Sequence, residues 1–333
     1  MSDTHTLGVL LLNVGTPDAP TPDALHRYLD EFLSDPKVID YPRWLWQPIL
    51  QGIILRVRPQ RSAALYARVW RPEGSPLLSI SHTLAAQLAA SLQAEIGARV
   101  VVEIGMRYGS PSIQHALDKL HEAAVDQLVV LPLFPQYSDT TTGTSLGAFE
   151  GALPGRCDVP VSIIHDYHDH PAYIDALAVH IECHWAHHPQ PARLLLSFHG
   201  IPARYLRKGD PYREQCERTA ALLSARLGLK NNEWGLSFQS RFGPEPWLQP
   251  YTDKTLEAWG AEGIRSAHAV CPGFAIDCLE TVDEIGHEGC RTFQEAGSGA
   301  FDYIPALNDS PEQVALFTQL VLENITIPPA SRA

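Results

Sequence analysis

Short apolar runs alternate with amphipathic stretches along most of this 333-residue chain. Such alternation is typical of βαβ units, in which parallel strands are joined by helices that cover the sheet. The pattern predicts an α/β fold with two domains, each built on a parallel sheet flanked by helices. The predicted strands lie at residues 7–14, 100–105, 127–134, 159–164, 193–199, 234–238 and 266–270.

Amphipathic stretches predict helices at residues 24–33, 113–123, 142–150, 211–227, 253–259, 277–288 and 310–324. Pro154 and Gly155 interrupt the alternation before the strand predicted at 159–164, because both residue types favour turns. We therefore place the domain boundary there, with an N-terminal domain at residues 1–154 and a C-terminal domain at residues 155–333. The sequence leaves open whether the last helix packs back on the first domain.

The balance of charge limits the classes of partner. The chain has 25 Lys and Arg against 38 Asp and Glu, a formal net charge of −13, without runs of basic residues. Nucleic-acid binding depends on clustered positive charge, so no nucleic-acid partner is expected. The first residues lack the positive region and long apolar core of a signal peptide, which predicts a cytoplasmic protein. Six scattered cysteines without a C-x-x-C pair are expected to be free thiols.

One segment, from Trp44 to Leu55, interrupts the regular alternation. It holds two tryptophans and several aliphatic residues, and Arg56, Arg58 and Arg61 follow it. It is shorter than the ~20 residues that span a bilayer. Two interpretations remain open: a lip that touches a membrane surface or covers a flat apolar ligand, or a helix packed into the first domain.

His199 directly follows an apolar run and begins a Gly/Pro turn, in the sequence SFHGIP at residues 197–202. Open α/β sheets place their ligands just beyond the carboxyl ends of the strands, which is where this imidazole is predicted to lie. A neutral imidazole can accept a proton or bind a transition metal at physiological pH. The alternative is a histidine that is hydrogen-bonded in a structural turn.

Glu280 stands in a similar place after the apolar run at 266–270. Asp277 and Glu280 have the D-x-x-E spacing of a capping box, which would explain both acids structurally. Glu284 and Glu288 continue the series in steps of four, so the four acids form a stripe on one helix face. Such a stripe is either a solvated surface or a row that conducts divalent cations or protons, because carboxylates bind cations and relay protons.

Other polar groups follow predicted strands. Arg107 could pair with a ligand carboxylate, Tyr108 could stack on a ring, and Tyr137 lies in a hydroxyl-rich stretch that could line a pocket or cap the next helix; structural turns are the alternative for both stretches. His180, His184 and His188 recur at steps of four, which is metal-ligand spacing on a helix. We leave them out of the predicted site, because histidine-rich helices also bind metal adventitiously. Neither a dinucleotide-binding G-x-G-x-x-G after a strand, nor a Walker loop, nor a G-x-S-x-G elbow is present.

Six blocks in register across almost the whole chain resemble ferrochelatase. They are LLNVGTP at 11–17, GSPL at 74–77, PQYS at 135–138 with TG at 142–143, SFHGIP at 197–202, FQSRFG at 238–243 with PWL at 246–248, and FAIDCLETVDE at 274–284. The resemblance implies insertion of Fe²⁺ into protoporphyrin IX to give protohaem, the terminal step of haem synthesis, in a cleft between two Rossmann-like domains.

The resemblance also assigns roles to residues. His199 matches the histidine that binds the metal or takes the pyrrole protons, Glu280 matches the glutamate opposite it, and Glu284 and Glu288 match the acidic row behind. The segment from Trp44 to Leu55 corresponds to an apolar lip. The porphyrin pocket implied by the resemblance is lined by Val14, Arg68, Arg107, Tyr108 and Tyr137, with Phe274 as an apolar wall.

Three departures refine the expectation. Cys278 stands where some members have a histidine, so any role of that histidine is absent or differently filled. No cysteine follows Cys290, so no [2Fe–2S] cluster and no other cofactor is expected, and Fe²⁺ is a substrate. Val14 replaces the tyrosine of coproporphyrin-using members, which favours protoporphyrin. The alternatives are a coproporphyrin ferrochelatase, another tetrapyrrole chelatase, or a porphyrin- or haem-binding protein without turnover.

Overall fold

The computed structural model describes residues 5–156 and 158–325. The chain forms two compact units. The first contains the described residues up to Leu133, the stretch Asp139–Asp166 and the described residues from Asp309 onward, whereas the second contains Phe134–Ser138 and Tyr167–Asn308. Each unit holds one four-stranded, wholly parallel sheet flanked by helices, which confirms the predicted fold class.

The sheet of the first unit has the strand order β2-β1-β3-β4. Its strands are β1 (Thr6–Thr16), β2 (Arg99–Gly109), β3 (Gln127–Pro132) and β4 (Val161–Ile163). Its helices are α1 (Pro22–Leu33), α2 (Arg43–Ile49), α3 (Leu55–Val69), α4 (Pro76–Ile96), α5 (Ile113–Glu122), α6 (Thr144–Ala152) and, after the second unit, α12 (Pro311–Leu322). Single π-helical turns at Leu50–Ile54 and Asp139–Gly143 lead into α3 and α6. Every β1 side chain except that of Val14 is buried, because helices cover this sheet and leave β1 little access to solvent.

The second sheet has the order β6-β5-β7-β8. Its strands are β5 (Arg193–His199), β6 (Trp234–Gln239), β7 (Ser266–Val270) and β8 (Ala300–Tyr303), and its helices are α7 (Pro171–His187), α8 (Arg204–Arg207), α9 (Tyr212–Arg226), α10 (Thr252–Ala261), the π-helix Glu280–Gly289 and α11 (Cys290–Gly297). β6 and β7 flank β5 on opposite sides, so the strand order reverses at the end of β5. That reversal is where open α/β sheets bind ligands.

The domain boundary differs from the prediction. β4 pairs with β3 in the first sheet, so the strand that we expected to open the second domain completes the first unit, which continues to Asp166. The last helix, α12, packs on α4, and the Thr318 Oγ1 donates a hydrogen bond of 2.9 Å to Ser91 Oγ. The first unit therefore closes with a segment from the far end of the sequence.

The structure bears on two further predictions, the state of the cysteines and the lack of a membrane-spanning segment. Among the described residues, Cys183, Cys216, Cys271, Cys278 and Cys290 are free thiols, while Cys157 lies outside the described residues. The first strand begins at Thr6, and residues 1–4 are also outside them. Within residues 5–156 and 158–325, no helix is both long and apolar enough to cross a bilayer.

Candidate functional site

His199 is the last residue of β5 and pairs with Gln239, the last residue of the neighbouring β6. Its Nδ1 lies 2.6 Å from the carbonyl oxygen of Gly200. Since a carbonyl only accepts, Nδ1 carries the proton and Nε2 keeps its lone pair. Burial lowers the pKa of His199, although the Glu280 charge and the Gly200 carbonyl offset part of that effect. The ring is therefore a neutral base at physiological pH.

Gly200 allows the chain to turn directly after this histidine. Its N–H donates to the Gln239 carbonyl over 2.8 Å. A Cβ at this position would lie 2.8 Å from the same carbonyl oxygen and 3.3 Å from the Trp247 ring. Any other residue would push β5 and β6 apart at the point where they present His199, so the glycine of SFHGIP has a steric reason.

The acidic row lies on a ten-residue π-helix, Glu280–Gly289, where we predicted an α-helix. Hydrogen bonds from i to i+5 widen each turn, and long π-helices are rare and concentrated at functional sites. Residues four apart still share a face, so Glu280, Glu284 and Glu288 form one file. Glu280 and Glu284 are partly buried and Glu288 is exposed, so the file runs from the protein interior to solvent.

Glu284 is held by Ser240, the residue that follows β6. The Ser240 N–H donates to Glu284 Oε1 over 2.7 Å, and the Ser240 hydroxyl donates to Oε2. Ser240 adopts a φ of 64°, a left-handed conformation uncommon for serine. Burial raises the pKa of Glu284 to about 7, against the Ser240 hydrogen bonds, and the Glu280 and Glu288 charges raise it further. Glu284 thus exchanges a proton near neutral pH.

Asp277 does not belong to this row, so its place in the predicted stripe is wrong. Its side chain is 4% exposed and accepts hydrogen bonds from the Thr281 hydroxyl (2.8 Å), the Tyr303 hydroxyl (2.6 Å) and the Asn308 amide (2.8 Å). These bonds fix the start of the π-helix to β8 and the loop beyond it. The capping-box interpretation is also wrong. The Asp277 carboxylate accepts its one backbone hydrogen bond from the Ala306 N–H, not from Glu280, and the Asp277 N–H donates to the Asn308 side chain.

Gln239 connects the strand ends to the π-helix, a role that residue spacing did not predict. Its amide donates to the Glu280 carbonyl over 2.8 Å, while its side-chain oxygen accepts from the Ser197 hydroxyl over 2.7 Å. Gln239 is 3% exposed. The residues Gln239 and Ser240 stood within the FQSRFG block of the resemblance, and that was the signal available to find them.

Phe274 and Cys278 complete the surroundings of His199 in the second unit. The Phe274 ring centroid lies 6.3 Å from that of His199, with the planes tilted by 55°. Cys278 stands two residues before Glu280, and burial raises the pKa of its thiol well above the usual value. A protonated thiol is a weaker base than a neutral imidazole, so Cys278 differs from a histidine at this position in its acid–base chemistry.

The predicted pocket residues of the first unit have different surroundings. Val14 is partly exposed near the end of β1, and Arg68 is exposed on α3. Arg107 pairs with Asp35 and donates to the Thr144 hydroxyl over 2.8 Å. These two contacts use two of the N–H donors of the Arg107 guanidinium inside the unit. Only its other N–H groups could bind a ligand carboxylate.

Tyr108 is 1% exposed, and its hydroxyl donates to Asp35 over 2.9 Å. This burial leaves no ring face for a ligand, so the predicted stacking role of Tyr108 is not supported by its position. In the second unit, Tyr137 is partly buried, and its N–H donates to the Gln215 side chain over 2.6 Å. That bond fixes the Tyr137 backbone.

The apolar segment from Trp44 to Leu55 lies at the surface of the first unit. Leu50 and Leu55 anchor it with exposures of 0% and 3%, whereas Trp44 is 78% and Ile53 is 63% exposed. The Trp46 Nε1 donates to the Leu33 carbonyl over 2.7 Å and fixes α2 to the end of α1. The structure therefore favours a held surface lip over a helix packed into the core.

Comparison of the sequence with known proteins identifies the family of the chain. Residues 6–325 match the family model described as ferrochelatase. The chain belongs to the ferrochelatase family. A ferrochelatase from Thioalkalivibrio sulfidiphilus (strain HL-EbGR7) is 51% identical over 320 residues, covering 96% of this chain and 87% of that protein. One from Mannheimia succiniciproducens is 50% identical over 321 residues, covering 96% and 98%.

Family membership makes this protein a metal-inserting porphyrin chelatase of haem biosynthesis. Among solved structures, SirB from Bacillus subtilis with Fe3+ superposes with a TM-score of 0.56 at 16% identity, over 76% of this chain and 93% of that one. At that identity the superposition supports the fold alone, and it agrees with two parallel sheets flanked by helices.

The ferrochelatase acidic row gives a pH-dependent prediction for Glu284→Gln. Below the usual pKa of 4.5, Glu284 is protonated in both the folded and unfolded states and contributes nothing to the pH dependence. Between 4.5 and about 7 the folded state holds a proton that the unfolded state releases, so stability declines as pH rises. Glutamine does not titrate. The free energy of unfolding of the variant, relative to wild type, should therefore increase by about 1–3 kcal/mol from acid to mildly basic pH.

Urea titrations at about pH 5 and about pH 8 measure this difference. The exposed Glu295 on α11 supplies the matched control, and Glu295→Gln should change the difference little. A flat difference for Glu284→Gln would show that the Glu284 carboxylate is ionised throughout this range.

Proposed function

We propose that this protein inserts Fe²⁺ into protoporphyrin IX, giving protohaem and releasing two protons. The observation that carries the proposal is geometric: the Nδ1 of His199 bonds the Gly200 carbonyl, and Gln239, its partner on β6, holds the start of a file of carboxylates that reaches solvent. Metal insertion needs both parts, because pyrrole protons must leave the ring and a hydrated cation must enter it.

His199 and Glu280 are assigned as the residues that take the pyrrole protons and bind the incoming iron. Imidazole nitrogen and carboxylate oxygen both ligate Fe²⁺, and both accept protons at neutral pH. Glu284 and Glu288 form the relay behind them. Since the pKa of Glu284 is about 7, this carboxyl alternates between proton carrier and anion under working conditions.

The substrate assignment depends on the first unit. Val14 presents a small aliphatic side chain near the end of β1, and it corresponds to the position where coproporphyrin-using members have tyrosine. Arg68, exposed on α3, supplies positive charge for a propionate, and Arg107 adds the donors that Asp35 and Thr144 leave available. In the second unit, Tyr137 and Phe274 are assigned as wall residues. No resident cofactor is assigned, since iron enters as a substrate and leaves in the product. The net charge of −13 argues against a nucleic-acid partner.

Anaerobic incubation of the purified protein with Fe²⁺ and protoporphyrin IX tests this function, with coproporphyrin III in parallel. Loss of porphyrin fluorescence together with the haem absorption spectrum reports turnover. We expect turnover with protoporphyrin. Preference for coproporphyrin would overturn the substrate assignment, and tight binding without turnover on either porphyrin would make the protein a carrier.

We further propose that the enzyme works in the cytoplasm, at the inner face of the membrane, and that the lip from Trp44 to Leu55 makes the contact. Trp44 and Ile53 are the most exposed large apolar side chains of the described residues. Arg56 and Arg61 are exposed beyond them on α3. Apolar side chains flanked by arginines favour the interface of an anionic bilayer.

A double variant, Trp44→Ser with Ile53→Ser, is expected to lower partitioning onto phosphatidylcholine/phosphatidylglycerol vesicles by about tenfold or more, since each side chain gains about 1.5–3 kcal/mol when fully buried. Cosedimentation measures the partition coefficient. Phe242→Ser removes an exposed aromatic from the second unit and serves as the control. Equal binding by the parent and the double variant would assign any membrane contact to another surface.

A further inference from the structure

The last turn of α7 faces the edge strand β8 through three metal-ligating side chains. His184 lies in the last turn of α7, His188 is the extended residue that directly follows the helix, and Asp302 lies on β8. We propose that His184, His188 and Asp302 form a second metal site, separate from His199, which takes a borderline divalent cation of the Zn²⁺ class. Sequence spacing identified the series His180, His184 and His188, which we left out of the predicted site; Asp302 was not connected with it because β8 was not predicted.

The donor atoms already converge. Asp302 Oδ2 lies 2.8 Å from His184 Nε2 and 3.2 Å from His188 Nδ1, and the three ligand atoms lie within 4.8 Å of one another. Ligands of a tetrahedral ion with bonds of about 2.1 Å are separated by about 3.4 Å. Small movements of the exposed His188 and of the Asp302 carboxylate therefore admit the ion.

The side chains are held before any ion binds. The His184 and His188 rings stack with centroids 4.2 Å apart and planes within 6° of parallel. Behind them His268, 5% exposed, pairs in register with Asp302 and meets the His184 ring edge-on at 5.5 Å. Trp185 Nε1 donates to His268 Nδ1 over 3.2 Å, so His268 supports the site from the interior and is not counted as a ligand.

The donor set selects the class of ion. Two imidazoles and one carboxylate suit Zn²⁺, Ni²⁺, Cu²⁺, Co²⁺ or Fe²⁺, whereas Mg²⁺ and Ca²⁺ prefer sites built from oxygen. Three protein ligands leave a fourth position for water. The side chains of His184, His188 and Asp302 are 14%, 50% and 37% exposed, so solvent reaches the site from the His188 side.

This site lies apart from His199. On the shared sheet, His268 pairs with Leu194 of β5, and His199 stands five residues further along that strand. At ~3.3 Å per residue the separation along the strands is ~16 Å, and Asp302 lies one strand further out than His268. An ion here is too far from His199 to share a ligand with it. It links α7 to the edge strand of the sheet.

Zinc binding to the full-length, tag-free protein tests the proposal. Competition with a chromophoric chelator gives the affinity and stoichiometry, and the titration is repeated in a His199→Ala background so that zinc at the reaction site is not counted. We expect one zinc ion per chain in that background, a higher melting temperature with zinc than without, and no comparable effect of Mg²⁺.

His188→Ala and Asp302→Asn should each weaken this zinc binding by about 100-fold, because even supporting residues around a metal cost 10–100-fold. His187→Ala is the matched control: His187 neighbours His188 but bonds the Cys183 carbonyl of its own helix. Zinc affinity in His188→Ala and Asp302→Asn equal to that of His187→Ala would overturn the site. That result would not bear on the proposed function of His199, because the zinc titration is made in the His199→Ala background.

Discussion

Replacing His199 by alanine is expected to lower kcat for iron insertion by about a thousandfold, within the range for loss of a positioned general base. Porphyrin affinity should stay within about threefold of wild type, because the imidazole contributes a lone pair to the reaction rather than contact area to the pocket. The fold should survive, since the His199 side chain is only partly buried and its hydrogen bond goes to the adjacent Gly200 carbonyl.

Stopped-flow absorbance of haem formation measures kcat, and quenching of intrinsic fluorescence by metal-free porphyrin measures affinity. His187→Ala, an exposed histidine of the same unit, controls for the loss of an imidazole. Because burial holds the pKa of His199 below its usual 6.5, the acid limb that reports His199 in wild type should have its midpoint below pH 6.5. Unchanged turnover in His199→Ala would remove this residue from the reaction.

Local pattern was enough to predict the strands that carry the site. β5 and β7 begin and end where their apolar runs do, because parallel strands covered on both faces tolerate few polar residues. Placing His199 beside Gln239 then required only that β5 and β6 be parallel neighbours. The carboxyl ends of such strands meet at one edge of the sheet.

Long-range partners explain what local pattern could not show. Asp277 looked like part of a surface stripe, yet it is buried because Tyr303 and Asn308, 26 and 31 residues later, supply its hydrogen bonds. Tyr108 looked available for stacking, yet Asp35, 73 residues earlier, binds its hydroxyl in the interior. Neither partner has a spacing that a periodic pattern would reveal.

The π-helix was hidden for a different reason. A series of acids at steps of four fits an α-helix and a π-helix equally well, so the hydrophobic pattern of residues 277–288 did not separate them. β8 was missed because a four-residue strand with an internal aspartate, Asp302, gives almost no alternation to detect. Both elements matter for function, since the π-helix carries the acidic row and β8 supplies Asp302 to the proposed zinc site.

Glu280→Gln should lower kcat by about a hundredfold, because glutamine keeps the shape of the side chain and removes its charge and basicity. The Glu280 carbonyl would still accept from Gln239, so the π-helix should keep its link to β6. The Glu280 charge raises the pKa of His199 against the effect of burial. Its removal should therefore move the acid limb of the pH–rate profile to lower pH.

This shift separates a working carboxylate from a solvated surface acid, which would alter neither the rate nor the profile. Glu295→Gln, on exposed α11, removes one negative charge from the same unit without touching the file and should leave both unchanged. The measurement is kcat from about pH 5.5 to about pH 8.5 for the three proteins. If Glu280→Gln matched wild type in rate and midpoint, the proton and metal chemistry would have to be assigned to His199 with Glu284, and Glu280 would only help to place the start of the π-helix.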